Sequence, residues 1–486
     1  MDRWSAQDIG KRIHHKDTKI TKKEGPLSLG VPGVLVVNLQ PPVWNPPQQG
    51  WTSPPESDIP RGMQKREGSA LDTRCPQRVS GTLKNLCPVP IILINLILFL
   101  GVGLSQTEQG LKWEIKTLAV DSNEGIDVAD FNRDGLDDVV AGRNWYAAPD
   151  FIPRPVRTIE DWSGYVLSNG DFAVDLNADG WPDVIAGAFN LPEVYWYENP
   201  GQPGLSQGKM WEKHLLMDTG AQENEGQLLK DLDGDGIPEW VVSSWNAKTP
   251  LVLWQFEKWP LQAVSASDGN AGSPSGAAAM KKIVIGKDLN GHGLGFGDLN
   301  GDGYEDLLFE SGWYEAPSTN PFSRPWKLHA DWKIHASLPI LVKDLNRDGK
   351  ADVIIARSHD YGLYWWEHKG LSPEGSPVWA EHLIDDSFSQ PHCLHWADLD
   401  GDGEDELITG KRVHAHNGRD PGGNEPPCIY YYKWRPDKQN FDRYLIDEGR
   451  VGGGLQIRTA DLNNDGRLDI AVAGKSGTYI LFNQGN

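Results

Sequence analysis

Short runs of apolar and β-branched residues alternate with acidic turns along most of the chain. Asp138-Val-Val-Ala and Asp352-Val-Ile-Ile-Ala each follow such a turn, and the alternating segment Leu294-Gly-Phe-Gly precedes one. Short runs with period-two alternation, bounded by glycine and aspartate, are typical of β-strands. The pattern therefore predicts an all-β fold over residues 106–486.

The acidic turns share one spacing, Asp-x-(Asp/Asn)-x-Asp-Gly-x-x-(Asp/Glu), which occurs seven times. Alternate oxygen-bearing side chains on a tight turn suit Ca²⁺, which takes six or more oxygen ligands, and the glycine allows the positive φ that the turn needs. The alternative is a set of solvated acidic turns, with one, two or all of them free of metal. The predicted calcium ligands are Asp130, Asn132, Asp134 and Asp138; Asp175, Asn177, Asp179 and Asp183; Asp231, Asp233, Asp235 and Glu239; Asp298, Asn300, Asp302 and Asp306; Asp344, Asn346, Asp348 and Asp352; Asp398, Asp400, Asp402 and Glu406; Asp461, Asn463, Asp465 and Asp469.

Each turn resembles the first half of an EF-hand loop but differs from it in two ways. The pattern ends at its ninth position without the glutamate expected at the twelfth, and its flanks read as strands rather than helices. An EF-hand is therefore excluded. The turns are predicted to connect one strand to the next.

Two further strands follow each turn. The third is aromatic, as in Val194-Tyr-Trp-Tyr-Glu, and the fourth begins near Trp or Phe, as in Trp211-Glu-Lys-His-Leu. Four strands in each repeat of 45 to 67 residues predict propeller blades, and seven repeats predict seven blades. The last repeat stops at its third strand, so residues 113–118 are predicted to supply the missing one. That closure leaves neither edge of the ring unpaired.

The seven turns resemble those of the FG-GAP/VCBS repeat family, whose members include the propellers of integrin α-subunits. The resemblance spans about 111–484. It implies a seven-bladed β-propeller, calcium in the turns and extracellular placement, but no single activity.

The N-terminal 105 residues differ in character from the rest. Residues 1–85 have proline-rich runs and no sustained apolar periodicity, which predicts disorder, or an untranslated leader if the chain starts at Met63. Basic residues after Met63 precede an apolar stretch, Ile91 to Leu104, with small residues at its end. Segment 86–105 therefore resembles a signal peptide and predicts export to the periplasm, the cell surface or the medium. The alternative is an uncleaved anchor, although the stretch is shorter than the roughly 17 residues of a minimal membrane span.

The formal net charge of −22 is unevenly distributed. Residues 1–105 carry 13 basic and 8 acidic residues, whereas the remaining 33 basic and 60 acidic residues give 106–486 a net charge of −27. Such an acidic body argues against nucleic acid or an anionic membrane as partner. No stable membrane insertion of the mature chain is expected.

Only two of the four cysteines would remain after cleavage, namely Cys393 and Cys428. Export permits a disulfide between them. The alternative is two separate buried thiols, because sequence does not give the Cα separation on which a disulfide depends.

Polar residues recur six positions before the first aspartate of each turn, where strand one begins. Four of these seven residues are possible metal ligands, and the ring geometry predicts that all point to one axis. Two histidines with one or two glutamates suit Zn²⁺ with an open position. The alternative is a water-filled channel lined by hydrogen-bonded groups. The seven residues are Glu124, Asn169, Glu225, His292, Leu338, His392 and Leu455.

The ends of the second strands, predicted to share this face, combine aromatic with basic and amide side chains. Such a mixture suits a polyhydroxylated ligand, because the rings stack on sugar faces and the polar groups bond to hydroxyls. The alternative is ordinary packing of Trp between blades. The predicted carbohydrate-binding residues are Arg143, Trp145, Asn246, Trp313, Arg357, Lys411 and His414.

Three segments of this face begin at Gly291, Ala356 and Lys411: Gly-His-Gly-Leu-Gly-Phe-Gly-Asp, Ala-Arg-Ser-His-Asp-Tyr-Gly and Lys-Arg-Val-His-Ala-His-Asn-Gly-Arg-Asp-Pro-Gly. They resemble the propeller domain of aldos-2-ulose dehydratase/isomerase and its exported bacterial relatives. The resemblance implies a zinc-dependent lyase or isomerase of ketosugars. Carried over by position, it implies zinc ligands at His292, His359 and His392. A Glu or His would act as the catalytic base, with Glu225 as first choice and Glu124 as a further candidate.

Two other functional classes compete with the enzyme. One is a lectin or adhesion propeller that binds a glycan or protein without turnover, and the other is a calcium-stiffened scaffold with an inert channel. The histidines are concentrated in the fourth to sixth repeats. That asymmetry favours a single site, because lectin sites of propellers usually repeat in every blade.

Overall fold

Seven four-stranded antiparallel sheets make up most of the regular structure. The computed structural model describes residues 110–486 except 163, 262–278, 288 and 374–375. The predicted disordered leader 1–85 and signal-like segment 86–105 lie outside the described residues. Within the described ranges, no helix has the length and apolar character needed to span a membrane.

Each sheet is one blade, and its strands follow one another in the chain, except in the last blade. Blade one contains β2 to β5, and the two-stranded ribbon β6–β7 follows it. Blades two to six take four consecutive strands each. The bounds are β2 Asp127–Ala129, β3 Asp138–Ala141, β4 Asn144–Ala147, β5 Ile152–Pro155, β6 Asp161–Trp162, β7 Tyr165–Val166, β8 Gly170–Val174, β9 Asp183–Gly187, β10 Glu193–Glu198, β11 Glu212–Asp218, β12 Asn224–Lys230, β13 Glu239–Ser244, β14 Leu251–Phe256, β15 Met280–Gly286, β16 Gly295–Gly297, β17 Asp306–Phe309, β18 Gly312–Glu315, β19 Lys327–His329, β20 Leu341–Lys343, β21 Asp352–Ala356, β22 Tyr361–Leu371, β23 Pro377–Ser389, β24 Pro391–Ala397, β25 Glu406–Lys411, β26 Cys428–Arg435 and β27 Asn440–Glu448.

Blade seven is built from both ends of the described chain. Its first three strands are β28 (Gln456–Ala460), β29 (Asp469–Gly474) and β30 (Gly477–Asn483), and its fourth is β1 (Trp113–Ala119). Trp113 pairs with Asn483 and Thr117 with Tyr479 in antiparallel register. The described helical structure is limited to α1 (Gly201–Ser206) and the 3₁₀ turns Pro321–Ser323 and Ala415–Gly418.

Seven apolar clusters hold the blades together, one between each pair of neighbours. Both faces of a blade's inner strands are covered, so these strands are apolar without alternation; β21 (Asp-Val-Ile-Ile-Ala) is buried along its whole length. The cluster that joins blade seven to blade one includes Ile480 and Tyr146. The first strands of neighbouring blades touch, as β2 does with both β8 and β28, so they surround the axis.

The seven acidic loops connect strands one and two and share one backbone geometry. Their glycines have φ between 84° and 89°, a region that residues with a side chain rarely adopt. In the first loop the Asp130 carboxylate accepts hydrogen bonds from the backbone N–H groups of Asp134 and Gly135, at 3.0 and 2.9 Å. The ninth residue of every loop is fully buried, as Asp138 is. Equal spacing in sequence has therefore produced equal turns.

Cys393 and Cys428 are both free thiols. Burial raises the pKa of Cys393 to about 12 and that of Cys428 to about 11. Of the two possibilities, the structure has separate buried thiols and no disulfide.

Candidate metal centre at the channel mouth

Four side chains from four regions of the ring converge at the end of the channel opposite the acidic loops. Glu225 and His392 stand at the starts of β12 and β24, His292 lies just before β16, and His359 lies in the turn between β21 and β22. The ligand atoms of all four lie within 4.8 Å of one another. The structure thus brings together the three histidines and the glutamate that the sequence analysis singled out.

The contacts within this group are short. The Nε2 atom of His292 lies 3.1 Å from Glu225 Oε2 and 3.2 Å from His359 Nε2. His392 Nε2 lies 3.4 Å from Glu225 Oε1. A four-coordinate ion with ligands at about 2.0–2.1 Å has ligand atoms roughly 3.3 Å apart, so the spacing matches a tetrahedral donor set.

The outer nitrogens of two histidines fix which ring atoms face the centre. His292 Nδ1 lies 2.7 Å from the carbonyl oxygen of Ala336, and His359 Nδ1 lies 2.8 Å from Asp420 Oδ2. Both partners only accept hydrogen bonds, so each Nδ1 carries the proton, and in the neutral ring Nε2 is then an acceptor. When both rings are neutral, their Nε2 lone pairs face each other 3.2 Å apart. A cation between them would remove that conflict.

A glycine beside His292 allows its position. Gly293 has φ of 88°, and a Cβ there would lie 2.5 Å from the Cβ of Ala336. The backbone can therefore approach the segment whose carbonyl binds His292 only because this residue has no side chain.

His392 is fully buried, and apart from a long, poorly directed contact of 3.4 Å from Nε2 to Glu225 Oε1, neither of its ring nitrogens has a hydrogen-bond partner among the described residues. Buried polar atoms are nearly always satisfied, and each exception requires an explanation. Because His392 faces Glu225, a bound ion would satisfy it. The orphaned imidazole and the donor set both fit Zn²⁺, for which nitrogen and carboxylate ligands are typical.

Arg412 lies between the two glutamates of the channel. It donates to Glu124 from Nε and a terminal nitrogen at 2.7 and 2.8 Å, and to Glu225 Oε1 at 2.8 Å. Burial alone would raise the pKa of both carboxyls, but the Arg412 guanidinium holds that of Glu124 below its usual value and that of Glu225 well below. Both are anions at neutral pH.

Burial has the opposite effect on the histidines. It lowers the pKa of His359 to about 4, although the hydrogen bond to Asp420 opposes that shift. It also holds the pKa of His392 well below its usual value, and the positive charge of Arg412 contributes. Both rings are therefore neutral at physiological pH, the state in which histidine binds metals.

The contacts of Glu225 and Glu124 do not suit the predicted role of free catalytic base. Glu225 receives hydrogen bonds from Arg412 and from the indole of Trp245 and faces two histidines. Both oxygens of Glu124 are bound by Arg412. A base needs an available lone pair and a pKa near the working pH. The structure gives both residues the features of fixed counter-ions.

Two tryptophans predicted to bind carbohydrate are core residues. Trp145 is 3% exposed, lies on β4 and packs in the cluster between blades one and two. Trp313 is 2% exposed and stacks on His329 at 4.0 Å, and its indole donates to Asp331. The turns between strands two and three are so short in these blades that the indoles fall on the third strand. The structure therefore matches the packing alternative.

Lys411 also differs from its prediction. It is fully buried and donates to Ser389 Oγ and Gln390 Oε1 at 3.0 and 2.9 Å. Successive side chains on an extended strand point to opposite sides. Its neighbour Arg412 therefore reaches Glu124 and Glu225 in the channel, whereas Lys411 is buried against Ser389 and Gln390.

Four other predicted ligand-binding residues lie at the surface. Arg143 pairs with Asp121 and Asp161, and the Arg357 guanidinium lies 5.5 Å from the ring of Tyr364. Asn246 and His414 are exposed. Asn246 follows Trp245, whose ring lies 5.3 Å from His292 and 5.2 Å from His359, which places this part of blade three beside the centre.

Four further residues contact this centre without having been predicted to do so: Arg412, Trp245, His416 and Asp420. Arg412 could have been found from strand parity, since it follows Lys411. Asp420 and His416 lie on an irregular segment between β25 and β26, where no repeat register places side chains.

The acidic loops present oxygen atoms of the predicted kind but are not equivalent. Carboxylates of Asp231, Asp233 and Glu239 lie within 4.8 Å of one another in the third loop, as do those of Asp398, Asp400 and Glu406 in the sixth. In the sixth loop the Lys433 ammonium binds Asp400, lies 2.7 Å from Asp402 and is 3.9 Å from Glu406. An internal cation therefore occupies the centre of that loop.

The third strand of each blade lies beside its acidic loop, and its sequence explains why the sixth loop holds an ammonium group. Tyr197, Trp366 and Tyr432 pair with the residue that follows the ninth loop position in blades two, five and six. The next residue is Glu198, Glu367 and Lys433, respectively. Blades two and five therefore present an extra carboxylate where blade six presents an ammonium.

Comparison with known proteins gives one family match. Residues 344–409 match the FG-GAP-like repeat, a range that covers the fifth and the sixth acidic loops. A search of the curated proteins found no match.

Several solved structures are similar to the chain. A lectin from Agrocybe aegerita that recognises non-reducing terminal N-acetylglucosamine has 18% identity and a TM-score of 0.40, over 76% of this chain and 94% of that chain. Sqt1 from Saccharomyces cerevisiae has 11% identity and a TM-score of 0.41, over 78% of this chain and 100% of that chain. The exotype rhamnogalacturonan lyase YesX has 12% identity and a TM-score of 0.39, over 79% of this chain and 75% of that chain.

The repeat match agrees with the register of the acidic loops, and the sheets give the number of blades. The chain is a seven-bladed β-propeller that contains an FG-GAP-like repeat.

Proposed function

We propose that this protein is an exported, calcium-binding propeller whose channel centre holds Zn²⁺ and acts on a ketosugar as a lyase or isomerase. The observation that carries the proposal is the convergence of the ligand atoms of His292, His359, His392 and Glu225, with the two Nε2 atoms of His292 and His359 only 3.2 Å apart. Such a group of acceptors favours a cation. Nitrogen donors in the set favour zinc over calcium or magnesium.

Each residue of the centre has a distinct task. His292, His359, His392 and Glu225 would hold the ion, and Arg412 fixes the orientation of Glu225 and balances its charge. Zinc would supply Lewis acidity, which polarises a carbonyl and acidifies the neighbouring C–H bond. In a dehydration, the C–H proton passes to a base, its electron pair becomes the C=C bond, and the adjacent hydroxyl leaves with a proton as water.

A carbohydrate suits the surroundings of the centre. The half-buried Trp245, the exposed Asn246 and His414, and His335, whose side chain is 55% exposed, combine an aromatic ring with hydrogen-bonding groups. Sugars need both, since their C–H faces stack on rings and their hydroxyls exchange hydrogen bonds.

Calcium is proposed for the acidic loops, with the sixth as the exception that Lys433 indicates. The ion would neutralise carboxylates that lie within 4.8 Å of one another, such as those of Asp231, Asp233 and Glu239. Export through segment 86–105 would bring the loops to a compartment rich in calcium. This part of the proposal rests on the sequence.

A second candidate is a non-catalytic carbohydrate- or protein-binding propeller. The observation that favours it is the engagement of Glu124 and Glu225 by Arg412, which leaves neither predicted base free. The same face could then hold a ligand without turnover.

Metal analysis separates these candidates. The purified protein and its His292→Ala/His392→Ala variant would be analysed for zinc and calcium after dialysis against metal-free buffer. We expect near-stoichiometric zinc in the wild type, its loss in the variant, and equal calcium in both. Calcium without zinc in both proteins would exclude the zinc enzyme and favour the binding propeller. If zinc is present, ketosugars would be screened for elimination by ultraviolet absorbance of the enone product.

A further inference from the structure

Asp420 is in hydrogen-bonding contact with two histidines at the channel mouth, one inside the proposed zinc set and one outside it. We propose that Asp420 is a positioning residue that fixes His359 as a zinc ligand, so that the segment between β25 and β26 of blade six sets the zinc affinity of the centre. This inference rests on the zinc site proposed above.

The two oxygens of Asp420 have separate partners. Oδ2 lies 2.8 Å from His359 Nδ1 and accepts a hydrogen bond from Gln390 Nε2 at 3.2 Å, whereas Oδ1 lies 2.7 Å from His416 Nδ1. The carboxylate is only 12% exposed. A histidine that donates its outer N–H to a carboxylate is held in one tautomer and becomes a more basic ligand through its other nitrogen. Asp420 stands in that relation to His359.

The second histidine strengthens the arrangement. The ring of His416 stacks on that of His359 at 4.5 Å and 16°, and it meets the edge of Trp245 at 5.0 Å. His359 is therefore held by a hydrogen bond at Nδ1 and by a ring against its face. Rotation of its imidazole away from the centre would break both contacts.

The blade-six segment is shaped to present Asp420. His414, His416 and Asn417 have φ of 51°, 48° and 57°, the left-handed region that residues with side chains seldom adopt. The Tyr165 hydroxyl on β7 donates to Asn417 and anchors the segment across the channel. Tertiary contacts thus hold a conformation that the local sequence would not adopt alone.

The test compares zinc affinity in the full chain. Wild type, Asp420→Asn and Asp420→Ala would compete for zinc with a chromophoric chelator, and Co²⁺ would replace zinc for visible absorption spectra. The comparison variant is His416→Gln, which removes the ring stacked on His359 and the partner of Asp420 Oδ1 but leaves the hydrogen bond between Asp420 Oδ2 and His359. Calcium content and far-UV circular dichroism would show that each protein is folded.

We expect the zinc dissociation constant of Asp420→Ala to rise about 10- to 100-fold, with altered intensity in the cobalt spectrum. Asp420→Asn should lie between Asp420→Ala and wild type, because its amide oxygen still accepts a hydrogen bond, and it carries the test if the alanine variant does not fold. His416→Gln should raise the constant clearly less than Asp420→Ala does, because it removes the stacked ring but keeps the hydrogen bond to His359 Nδ1.

Equal zinc affinity in wild type and both Asp420 variants would overturn the positioning role and leave the zinc site intact. A loss in His416→Gln as large as that in Asp420→Ala would also overturn it, since packing of the segment would then explain the effect. A wild-type protein without zinc affinity would overturn both this inference and the proposed function.

Discussion

Arg412 of blade six donates a hydrogen bond of 2.8 Å to Glu225 of blade three, 187 residues away in the chain. The same guanidinium binds Glu124 beside blade one, so a single buried cation links three regions of the ring. All three side chains are less than 10% exposed. Ion pairs among these three buried side chains thus connect the blades that line the channel.

Replacement of Arg412 by Met should destabilise the metal-free protein by about 3–5 kcal/mol at pH 7, because two buried carboxylates lose their hydrogen-bonded counter-ion and only Glu124 keeps a more distant one, Lys475 at 3.9 Å. Urea denaturation would measure the free energy of unfolding. The matched control is Arg154→Met, which breaks an exposed pair with Asp150 and should cost about 0–1 kcal/mol.

Lower pH should reduce the difference in the free energy of unfolding between Arg412→Met and wild type. The pKa values of Glu124 and Glu225 are lowered in the folded wild type, so the stability they contribute is present above the unfolded pKa of about 4.3 and is lost as pH falls through the folded values. In the variant the carboxylates can take up protons and lose their uncompensated charge. A constant difference between pH 7 and pH 4 would contradict this electrostatic account.

Calcium-free protein should lose stability as pH rises from 5 to 8. Burial raises the pKa of the ninth loop residues, to about 7 for Asp138 and Glu239 and about 8 for Asp183. Because these folded values exceed the unfolded ones, the folded state binds the protons more tightly, and its advantage disappears as pH passes through 7 to 8. Thermal unfolding in EDTA at several pH values would measure the slope. Added calcium should raise stability at pH 8 and flatten the slope, whereas an unchanged slope would count against calcium binding.

Lys433→Gln should add one calcium ion per molecule. The ammonium of Lys433 lies among the carboxylates of the sixth loop, and its removal leaves them free to bind an external cation. Isothermal titration calorimetry on decalcified protein would give the number of sites. Lys350→Gln is the control, since that ammonium contacts the fifth loop only at Asp348. An equal number of sites in wild type and Lys433→Gln would show that Lys433 does not exclude calcium.

Trp313→Ala should cost about 3–5 kcal/mol of stability, because the indole is buried between blades and leaves a large cavity. Trp162→Ala, at a side chain that is 50% exposed, should change stability by less than about 1 kcal/mol. Zinc content per folded molecule should be unchanged in both. Reduced carbohydrate binding with normal stability in Trp313→Ala would restore the ligand-binding role predicted from the sequence.

The repeat register made most of the fold predictable. The Asp-Gly turn fixes a strand on each side, and seven copies at similar spacing fix seven sheets. The same register placed Glu225, His292 and His392 on one axis, because residues at equal distance from equivalent turns occupy equivalent places in a ring.

The predictions that differ from the structure concern side-chain direction and irregular backbone. Lys411 was predicted to bind the ligand, but the next residue, Arg412, is the one that reaches the channel. A shift of one residue along a strand places the side chain on the opposite face. Trp145 and Trp313 were assigned to strand ends, but the tight hairpins of blades one and four put them on buried third strands. Asp420 is positioned by a segment that contains residues in the left-handed region of φ. No periodic sequence pattern describes such a segment, so its position could not be predicted.

The pairing of β1 with β30 sets the order of events during synthesis. The ribosome releases Trp113 long before Asn483, its partner in blade seven. At about 5–20 residues per second, roughly tens of seconds separate the two. Six blades can form in that interval, but β1 keeps an unsatisfied edge until the last strand emerges. Closure of the ring therefore cannot be completed before β30 has left the ribosome.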